Sequence, residues 1–119
     1  MRVRAKATVH DHLVDEFDHQ HLTPHEEYMV VGIDHESFRV INDADEPILY
    51  PKALFEVVSA HVPADWIRRE FGDGEYYWDP PECSLPGFYE DWFDADATAR
   101  EVFQAVRERL LREARLSGD

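Results

Sequence analysis

A chain of 119 residues that is 44% hydrophobic and 32% charged has the composition of one globular domain, residues 1–119, with an ordinary core. Asp and Glu number 26 against 12 Lys and Arg, which gives a formal charge of −14 and argues against nucleic acid or an anionic membrane as a partner. One cysteine, Cys83, and no apolar stretch of signal-peptide or transmembrane length predict a cytoplasmic protein without disulfide bonds.

The N-terminal half predicts a small β-structure. Residues 2–10 alternate apolar with basic or polar side chains, which is the period of a half-buried strand, and a loop is expected to follow. Residues 22–62 contain four short β-rich segments separated by turn-forming sequences such as "DHES" and "DADEP". A tight helical turn is expected at "PKAL". Because closure removes exposed strand edges, this pattern predicts a small closed barrel as the core.

An aromatic strap, residues 63–94, follows the predicted barrel and is expected to be irregular apart from a hairpin turn and short strand at "GDGEYYW". Its stretch "EYYWDPPECSLPGFYEDWFD", residues 75–94, has seven aromatic, six acidic and no basic side chains. This aromatic area exceeds the apolar patch that soluble monomers usually expose, so we predict that the strap packs between the barrel and the C-terminal helix. Neighbouring aromatic residues should divide, with one member of each pair pointing inward: Tyr76/Tyr77, Phe88/Tyr89 and Trp92/Phe93.

Residues 95–116 predict an amphipathic C-terminal helix, since apolar side chains recur at spacings of three and four. Thr98 and Glu101 have the spacing of a capping box, and acidic residues stand at the positive end of the helix dipole. The sequence "DADAT" also matches the D-x-D-x-T of aspartyl phosphatases. A helix N-terminus explains it better, because Asp and Thr are preferred capping residues.

Residues 22–58 resemble a small SH3-like barrel. The segment "LTPHEEYMVVGID" is similar to the opening turn and first long strand of such folds, and "FRVINDADEPILYPKALFEVV" is similar to their two central strands, tight turn and short last strand. Small uncharacterised bacterial proteins of SH3-like type, some from toxin–immunity loci, look similar in arrangement. The resemblance covers roughly a third of the chain and implies a fold, not an activity. One departure from the pattern is His25, which stands where a turn glycine is comfortable.

The predicted fold class is α+β, with a small SH3-like β-barrel, an aromatic-rich irregular segment and one C-terminal α-helix. No pattern typical of catalysis accompanies it. Cys83 has neither a basic neighbour nor a helix N-terminus to stabilise a thiolate, no serine lies in a G-x-S-x-G sequence, and the sequence has no glycine-rich phosphate loop. We therefore expect a protein that is not an enzyme and that uses no cofactor.

A histidine cluster near the N-terminus predicts, as an alternative function, a metal-binding protein. Five histidines occur within residues 10–25, and two pairs have the i, i+2 spacing that places side chains on one face of a strand. A solvated loop with titrating histidines is the competing interpretation, since no known ligand spacing is matched. The candidate ligands are His10, His12, His19, His21 and His25.

The leading functional prediction is an acidic protein-interaction module, of immunity or antitoxin type, that masks a basic protein partner. It follows from the charge of −14 and from Tyr and Trp side chains, which are typical interface anchors, set among acidic residues. A nucleic-acid mimic is a third hypothesis with the same charge argument, and the oligomeric state is left open. The predicted partner contacts are Tyr76, Tyr77, Glu82, Tyr89, Glu90, Asp91 and Trp92.

Overall fold

The computed structural model describes residues 1–7 and 21–117 of the chain. Within these ranges the β-branched and alternating segments form strands, and the amphipathic C-terminal segment forms a helix. The strands are β1 (Arg2–Ala5), β2 (Glu27–Asp34), β3 (Ser37–Ile41), β4 (Pro47–Pro51), β5 (Phe55–Ser59), β6 (Ile67–Gly72) and β7 (Glu75–Asp79). The α-helices are α1 (Phe88–Phe93) and α2 (Ala97–Ser117), and short 3₁₀ turns occur at Lys52–Leu54 and Pro81–Ser84.

Strand β2 is the centre of an antiparallel sheet. The strand order is β4-β3-β2-β1-β5, and β7 also pairs with β2 and carries β6 beside it. Ile33 pairs with Phe38 of β3 and with Trp78 of β7, so these two strands lie on opposite edges of β2. β1 pairs nearer the start of β2, where Val3 is opposite Tyr28. β1 and β7 therefore share one edge of β2, one after the other along the strand.

A β-bulge in β2 allows this change of partner. The register between β2 and β3 shifts between Val30 and Gly32, and every residue from Val30 to Asp34 is buried. A bulge bends the strand and increases its local twist. The second half of β2 therefore leaves β1 and runs alongside β7.

The sheet is not closed within the described residues, because β4 and β5, at the two ends of the strand order, do not pair with each other. The predicted closed barrel is therefore wrong, whereas an α+β fold with a largely antiparallel sheet and a C-terminal helix is confirmed. The expected tight turn at "PKAL" is present as the 3₁₀ turn Lys52–Leu54, which leads directly into β5. The sheet extends through the hairpin β6–β7 instead of closing, and both α-helices contribute buried side chains to its core.

The segment predicted to be a largely irregular strap contains a regular β-hairpin. β6 and β7 are joined by Asp73 and Gly74, whose φ angles of 53° and 80° have the sign that a two-residue type I′ turn requires at both positions. Strand alternation leaves Tyr77 exposed and its neighbours Tyr76 and Trp78 partly buried. The predicted hairpin turn and short strand at "GDGEYYW" are confirmed by the Asp73–Gly74 turn and β7. The irregular prediction is wrong over the preceding strand β6, because the prolines lie outside it and the Asp-Gly turn favours its pairing with β7.

Aromatic side chains join α1 to α2. The Trp92 indole packs edge-on against Phe103 of α2 with ring centroids 6.0 Å apart, and Phe103 contacts Tyr89 in the same manner at 6.2 Å. Arg109 of α2 also makes a bidentate ion pair with Glu82, with N–O distances of 2.5 and 3.0 Å. One continuous core runs from the strands to both helices, which confirms the predicted packing of the aromatic segment against the C-terminal helix.

The chain reverses sharply at Ala95, between the two helices. Ala95 has a φ of 62°, and its N–H donates a hydrogen bond to the Trp92 carbonyl at 3.1 Å. The N–H of Asp96 donates to the Asp91 carbonyl at 3.0 Å. These bonds satisfy two carbonyl groups at the end of α1. They also hold Ala95 in a left-handed conformation that favours glycine, although Ala95 has a Cβ.

Helix α2 begins at Ala97 because Asp96 caps it. The Asp96 Oδ1 accepts a hydrogen bond from the Ala99 N–H at 2.9 Å. The predicted start at residue 95 and the predicted capping box of Thr98 and Glu101 are therefore wrong, since an aspartate two positions earlier is the stronger cap. Although α2 is 21 residues long, no helix in the described ranges has an apolar stretch sufficient to cross a membrane.

Replacing Ala95 by glycine should stabilise the fold. A Cβ in the left-handed region costs roughly 1 kcal/mol, and glycine removes this cost. We expect Ala95→Gly to raise the free energy of unfolding by about 0.5–1 kcal/mol in urea denaturation. The matched control is Ala105→Gly at an exposed position inside α2, which should lower the free energy of unfolding by a similar amount. A loss of stability in Ala95→Gly would contradict the described turn.

Candidate functional site

One cleft brings charged side chains together with exposed apolar ones. It has a volume of about 380 Å³ and lies between strands β2, β3, β4 and β7 and the start of α1. We refer to it as the Arg39 cleft. Four charged residues line it, namely Asp34, Arg39, Asp79 and Glu90, and its exposed apolar edge consists of Leu49, Tyr77 and Leu85.

Arg39 supplies the positive charge of the cleft. Phe38 and Val40 of β3 point into the core, so strand alternation turns Arg39 to the other face. Its Nη1 donates a hydrogen bond to the Pro47 carbonyl at 2.8 Å, and its guanidinium carbon lies 3.8 Å from the centre of the Tyr89 ring. Burial lowers the pKa of Arg39, but an arginine pKa starts so high that the group stays charged at neutral pH. The guanidinium is therefore held in place by a carbonyl and an aromatic face.

Asp79 is a partly buried carboxylate at the end of β7. Its Oδ1 lies so close to the backbone of Gly32 that a Cβ on that residue would collide with it. Burial raises the pKa of Asp79 from about 3.8 to about 6, while the charge of Arg39 opposes this rise and the charge of Asp34 adds to it. Asp79 is therefore mostly ionised at neutral pH but takes up a proton under mildly acidic conditions.

Asp34 closes the turn between β2 and β3. Its Oδ1 accepts hydrogen bonds from the backbone N–H groups of Glu36 and Ser37, at 2.9 and 2.6 Å. These bonds fix the carboxylate at the wall of the cleft, where its charge raises the pKa of Asp79 by repulsion. The turn that orders β3 is thus part of the electrostatic environment of the cleft.

Tyr89 and Cys83 form a protonated pair beneath Arg39. The Tyr89 Oη is buried and has no hydrogen-bond partner in the part of the chain that the structure describes. The Cys83 thiol interacts with this hydroxyl electrostatically, but the two groups are not positioned to form a hydrogen bond. Burial raises the pKa of Tyr89 well above its usual value and the pKa of Cys83 to about 12. Cys83 is therefore a thiol at neutral pH and supplies no thiolate nucleophile.

The edge of the cleft exposes large apolar side chains. Tyr77 is 49% exposed and Leu85 is 60% exposed. Phe71, which is 61% exposed, extends this edge, because its ring packs edge-on against Tyr77 with centroids 5.4 Å apart. Neighbouring exposed apolar groups bordered by polar ones are typical of interaction surfaces. With all groups ionised, three carboxylates and one guanidinium give the cleft a net charge of −2.

Three of the predicted partner contacts line the Arg39 cleft. Tyr77 lies on its exposed edge, Tyr89 lies under the Arg39 guanidinium, and Glu90 is exposed on α1. Asp91, the next residue of α1, is also exposed. These residues converge because α1 starts close to the end of the hairpin that carries Tyr77.

Two other predicted contacts have partners within the molecule. The Tyr76 hydroxyl accepts a hydrogen bond from Lys52 Nζ at 3.0 Å, on the face of β7 opposite to Tyr77. Glu82 is engaged by Arg109 of α2, and this ion pair lowers the pKa of Glu82. Both side chains therefore hold elements of the fold together.

Trp92 is a core residue, although it is one of the predicted partner contacts. It is 7% exposed, while its neighbour Phe93 is 44% exposed and faces solvent. The expectation that one of the two points inward is confirmed, but the helix α1 turns Trp92, not Phe93, toward α2. For Phe88 and Tyr89 the expected division is less sharp, since Phe88 is buried and the Tyr89 hydroxyl is buried as well.

The histidine cluster is only partly described. His10, His12 and His19 lie outside the described residues, whereas His21 and His25 are exposed and have φ angles of 61° and 71°. The position of His25 is thus a left-handed turn that suits glycine, as the sequence predicts. Within residues 1–7 and 21–117, no group of three His, Cys, Asp or Glu side chains could hold a metal ion. The metal-binding alternative stays a prediction.

The sequence contains two signals of the cleft. Arg39 interrupts the otherwise apolar run "FRVI", and Gly32 stands inside the strand "VVGID", where a glycine often marks the close approach of another segment. Neither signal identifies Asp79 as the neighbour, because β7 reaches β2 through pairing between residues far apart in the chain.

Comparisons of the chain with protein-family models, with curated proteins and with solved structures give no match. The function is therefore inferred from the geometry and charge of the cleft.

Replacing Asp79 by asparagine should make the stability less dependent on pH. The pKa of Asp79 is about 6 in the folded protein and about 3.8 in the unfolded chain, so the folded state binds its proton more tightly. The wild type should lose about 2 kcal/mol of stability as the pH rises from about 4 through about 6, and the variant should not. Urea unfolding across this range should show Asp79→Asn more stable than wild type at pH of about 7.5 and equal to it near pH 4.

The matched control is Asp91→Asn, which removes the same charge from the exposed surface of α1. It should leave the pH dependence of wild-type stability in place. Equal pH profiles for wild type and Asp79→Asn would show that burial does not perturb this carboxylate.

Proposed function

We propose that the protein is a non-enzymatic acidic interaction module that binds and masks a basic protein, as an immunity or antitoxin-type protein does. In this proposal the Arg39 cleft and its exposed edge form the contact surface. The supporting observation is that large exposed apolar side chains border a cleft in which three carboxylates outnumber a single guanidinium.

The exposed edge supplies the apolar part of the proposed interface. Tyr77 and Phe71 lie on the hairpin β6–β7 and pack against each other, and Leu85 continues the apolar surface on the far side of the cleft. Aromatic side chains on a hydrogen-bonded hairpin lose little conformational freedom on binding. They are therefore suited to act as anchors of an interface.

The carboxylates supply the charged part. Glu90 is exposed on α1, and Asp79 lies deeper in the cleft at the end of β7. A Lys or Arg side chain of a partner could pack its aliphatic stem on Tyr77 while its charged end meets these two carboxylates. An added cation also favours the ionised form of Asp79, so binding offsets part of the cost of burying that charge. The net charge of −14 attracts a basic partner from a distance.

A relationship of the open sheet to SH3-like folds and a cytoplasmic location belong to the same proposal. Two features support this relationship. Strand β2 has a bulge and is shared by two groups of strands, and a 3₁₀ turn directly precedes β5. A single buried thiol, Cys83, supports a reducing compartment.

A pull-down from the native host, followed by mass spectrometry, tests the proposal. The wild-type protein should capture a basic protein at about 50 mM NaCl and release most of it at about 500 mM, because ions screen the attraction. With the purified partner, Tyr77→Ala and Glu90→Lys should each weaken binding by about tenfold or more.

The matched control is Glu56→Lys, which makes the same charge change at an exposed residue of β5 that does not line the cleft. It should alter the affinity by less than about twofold at moderate salt. Capture of no basic protein, binding that is indifferent to salt, or equal weakening by Glu56→Lys and Glu90→Lys would each contradict the proposed surface.

A further inference from the structure

The positive charge of the Arg39 cleft has no negative partner. Arg39 Nη1 donates to the Pro47 carbonyl at 2.8 Å and the guanidinium stacks on the Tyr89 ring, but no carboxylate of the described residues forms an ion pair with it. Five other arginines in the described part of the chain lie 2.5 to 3.7 Å from a carboxylate oxygen. Arg39 is thus a cation held in place without the counter-charge that these arginines have.

One edge of this guanidinium is free. Its Nε and Nη2 form no hydrogen bond within the described residues, and neither is among the fully buried unpaired atoms there, which are Arg2 Nε, Trp66 Nε1 and Tyr89 Oη. Both nitrogens are therefore accessible to solvent, and Arg39 lines the cleft. Nε and Nη2 of an arginine can hold a carboxylate through two parallel hydrogen bonds. The cleft thus offers one fixed binding group for a carboxylate.

A carboxylate of the protein lies beside Arg39 without pairing with it. A Cβ on Gly32 would collide with the Asp79 Oδ1 and would lie 3.4 Å from the Arg39 Cβ, so both side chains border this glycine. Glu90 lines the same cleft from α1. A ligand with a single charge is attracted by one of these groups and repelled by another, whereas a ligand with both charges is attracted at both ends.

This arrangement restricts the basic group of the proposed partner. A Lys or Arg side chain that meets Asp79 and Glu90 inside a cleft of about 380 Å³ also comes close to the Arg39 guanidinium, which repels it. An α-carboxylate on the same residue offsets this repulsion by binding Arg39. Within a polypeptide only the C-terminal residue carries an α-carboxylate, and capture of that group is a recurring mode of peptide recognition.

We propose that the Arg39 cleft binds the C-terminal residue of the basic partner, a Lys or Arg whose α-carboxylate lies on the Arg39 guanidinium and whose side-chain charge meets Asp79 and Glu90. The aliphatic stem of that residue packs on Tyr77 at the exposed edge. This inference rests on the proposed function and deepens it, because it names the part of the partner that enters the cleft.

Three acetylated tetrapeptides test the proposal. Each has three alanines, followed by lysine with a free C-terminus, by lysine amide, or by norleucine with a free C-terminus. In ¹H–¹⁵N titrations of the full chain, the free-acid lysine peptide should shift the amides of Arg39, Tyr77 and Asp79 and bind about tenfold more tightly than either other peptide. The charge of −14 attracts the cationic amide more than the neutral free acid, so this preference requires a local cation.

Variants locate that cation. Arg39→Met should weaken binding of the free-acid lysine peptide by about tenfold and remove its advantage over the amide. The matched control is Arg112→Met, which removes the same charge from an exposed position of α2 that does not line the cleft. It should keep the preference for the free acid. If Arg39→Met does not fold, the order of affinities for the wild type decides the question by itself.

The partner captured in the pull-down gives a second readout. It should end in Lys or Arg, and deleting that residue should weaken its binding by about tenfold. A basic partner with a different C-terminal residue, or one that tolerates the deletion, would overturn the inference and leave the proposed function standing. Capture of no basic protein would instead contradict the proposed function.

The peptide results also have outcomes that overturn the inference. These are equal affinities for the free acid and the amide, no shift of the cleft amides by the free-acid lysine peptide, a preference retained in a folded Arg39→Met variant, or equal losses in Arg39→Met and Arg112→Met. None of them would contradict the proposed function, since the same surface can contact an internal segment of a basic partner.

Discussion

The close approach of β7 to β2 is the contact on which the rest of the structure depends. At Gly32 the β2 backbone lies so close to the Asp79 carboxylate that a Cβ there would collide with its Oδ1 and force the carboxylate to move. The contact places the hairpin beside the bent half of β2, and Tyr77 and Asp79 of that hairpin become part of the Arg39 cleft. A strand that changes partner at a bulge is therefore the origin of both the open sheet and the candidate site.

The chain combines a strongly acidic composition with 13% aromatic residues, and three of its ten arginines lie against aromatic rings. The guanidinium groups of Arg39, Arg68 and Arg100 lie 3.8 to 4.1 Å from the ring centres of Tyr89, Tyr76 and Trp92, respectively. Repulsion among carboxylates opposes folding, whereas buried aromatic area stabilises the fold by about 25 cal/mol per Å². Arginines stacked on the aromatic layer add attraction at the points where that layer meets the acidic surface.

Features determined by neighbouring residues could be predicted from the sequence, and features determined by distant pairing could not. The periodicity of α2, the apolar strand β2 and the turn position of His25 follow from local patterns. The Arg39 cleft does not, because Arg39 and Asp79 are forty residues apart and meet only through pairing of β7 with β2. Helix α1, with six residues, is too short for its periodicity to be recognised among prolines and aromatic residues.

Cys83 is the single cysteine of the chain, and its burial beneath the cleft keeps it in the thiol form. Such a thiol reacts slowly with maleimides and oxidants, because the thiolate is the reactive species. A cysteine introduced on an exposed loop would then take up a fluorophore or a spin label selectively, with the native residue left in place. The packing that makes Cys83 unreactive thus allows labels to be attached at chosen sites of the chain without first removing its native cysteine.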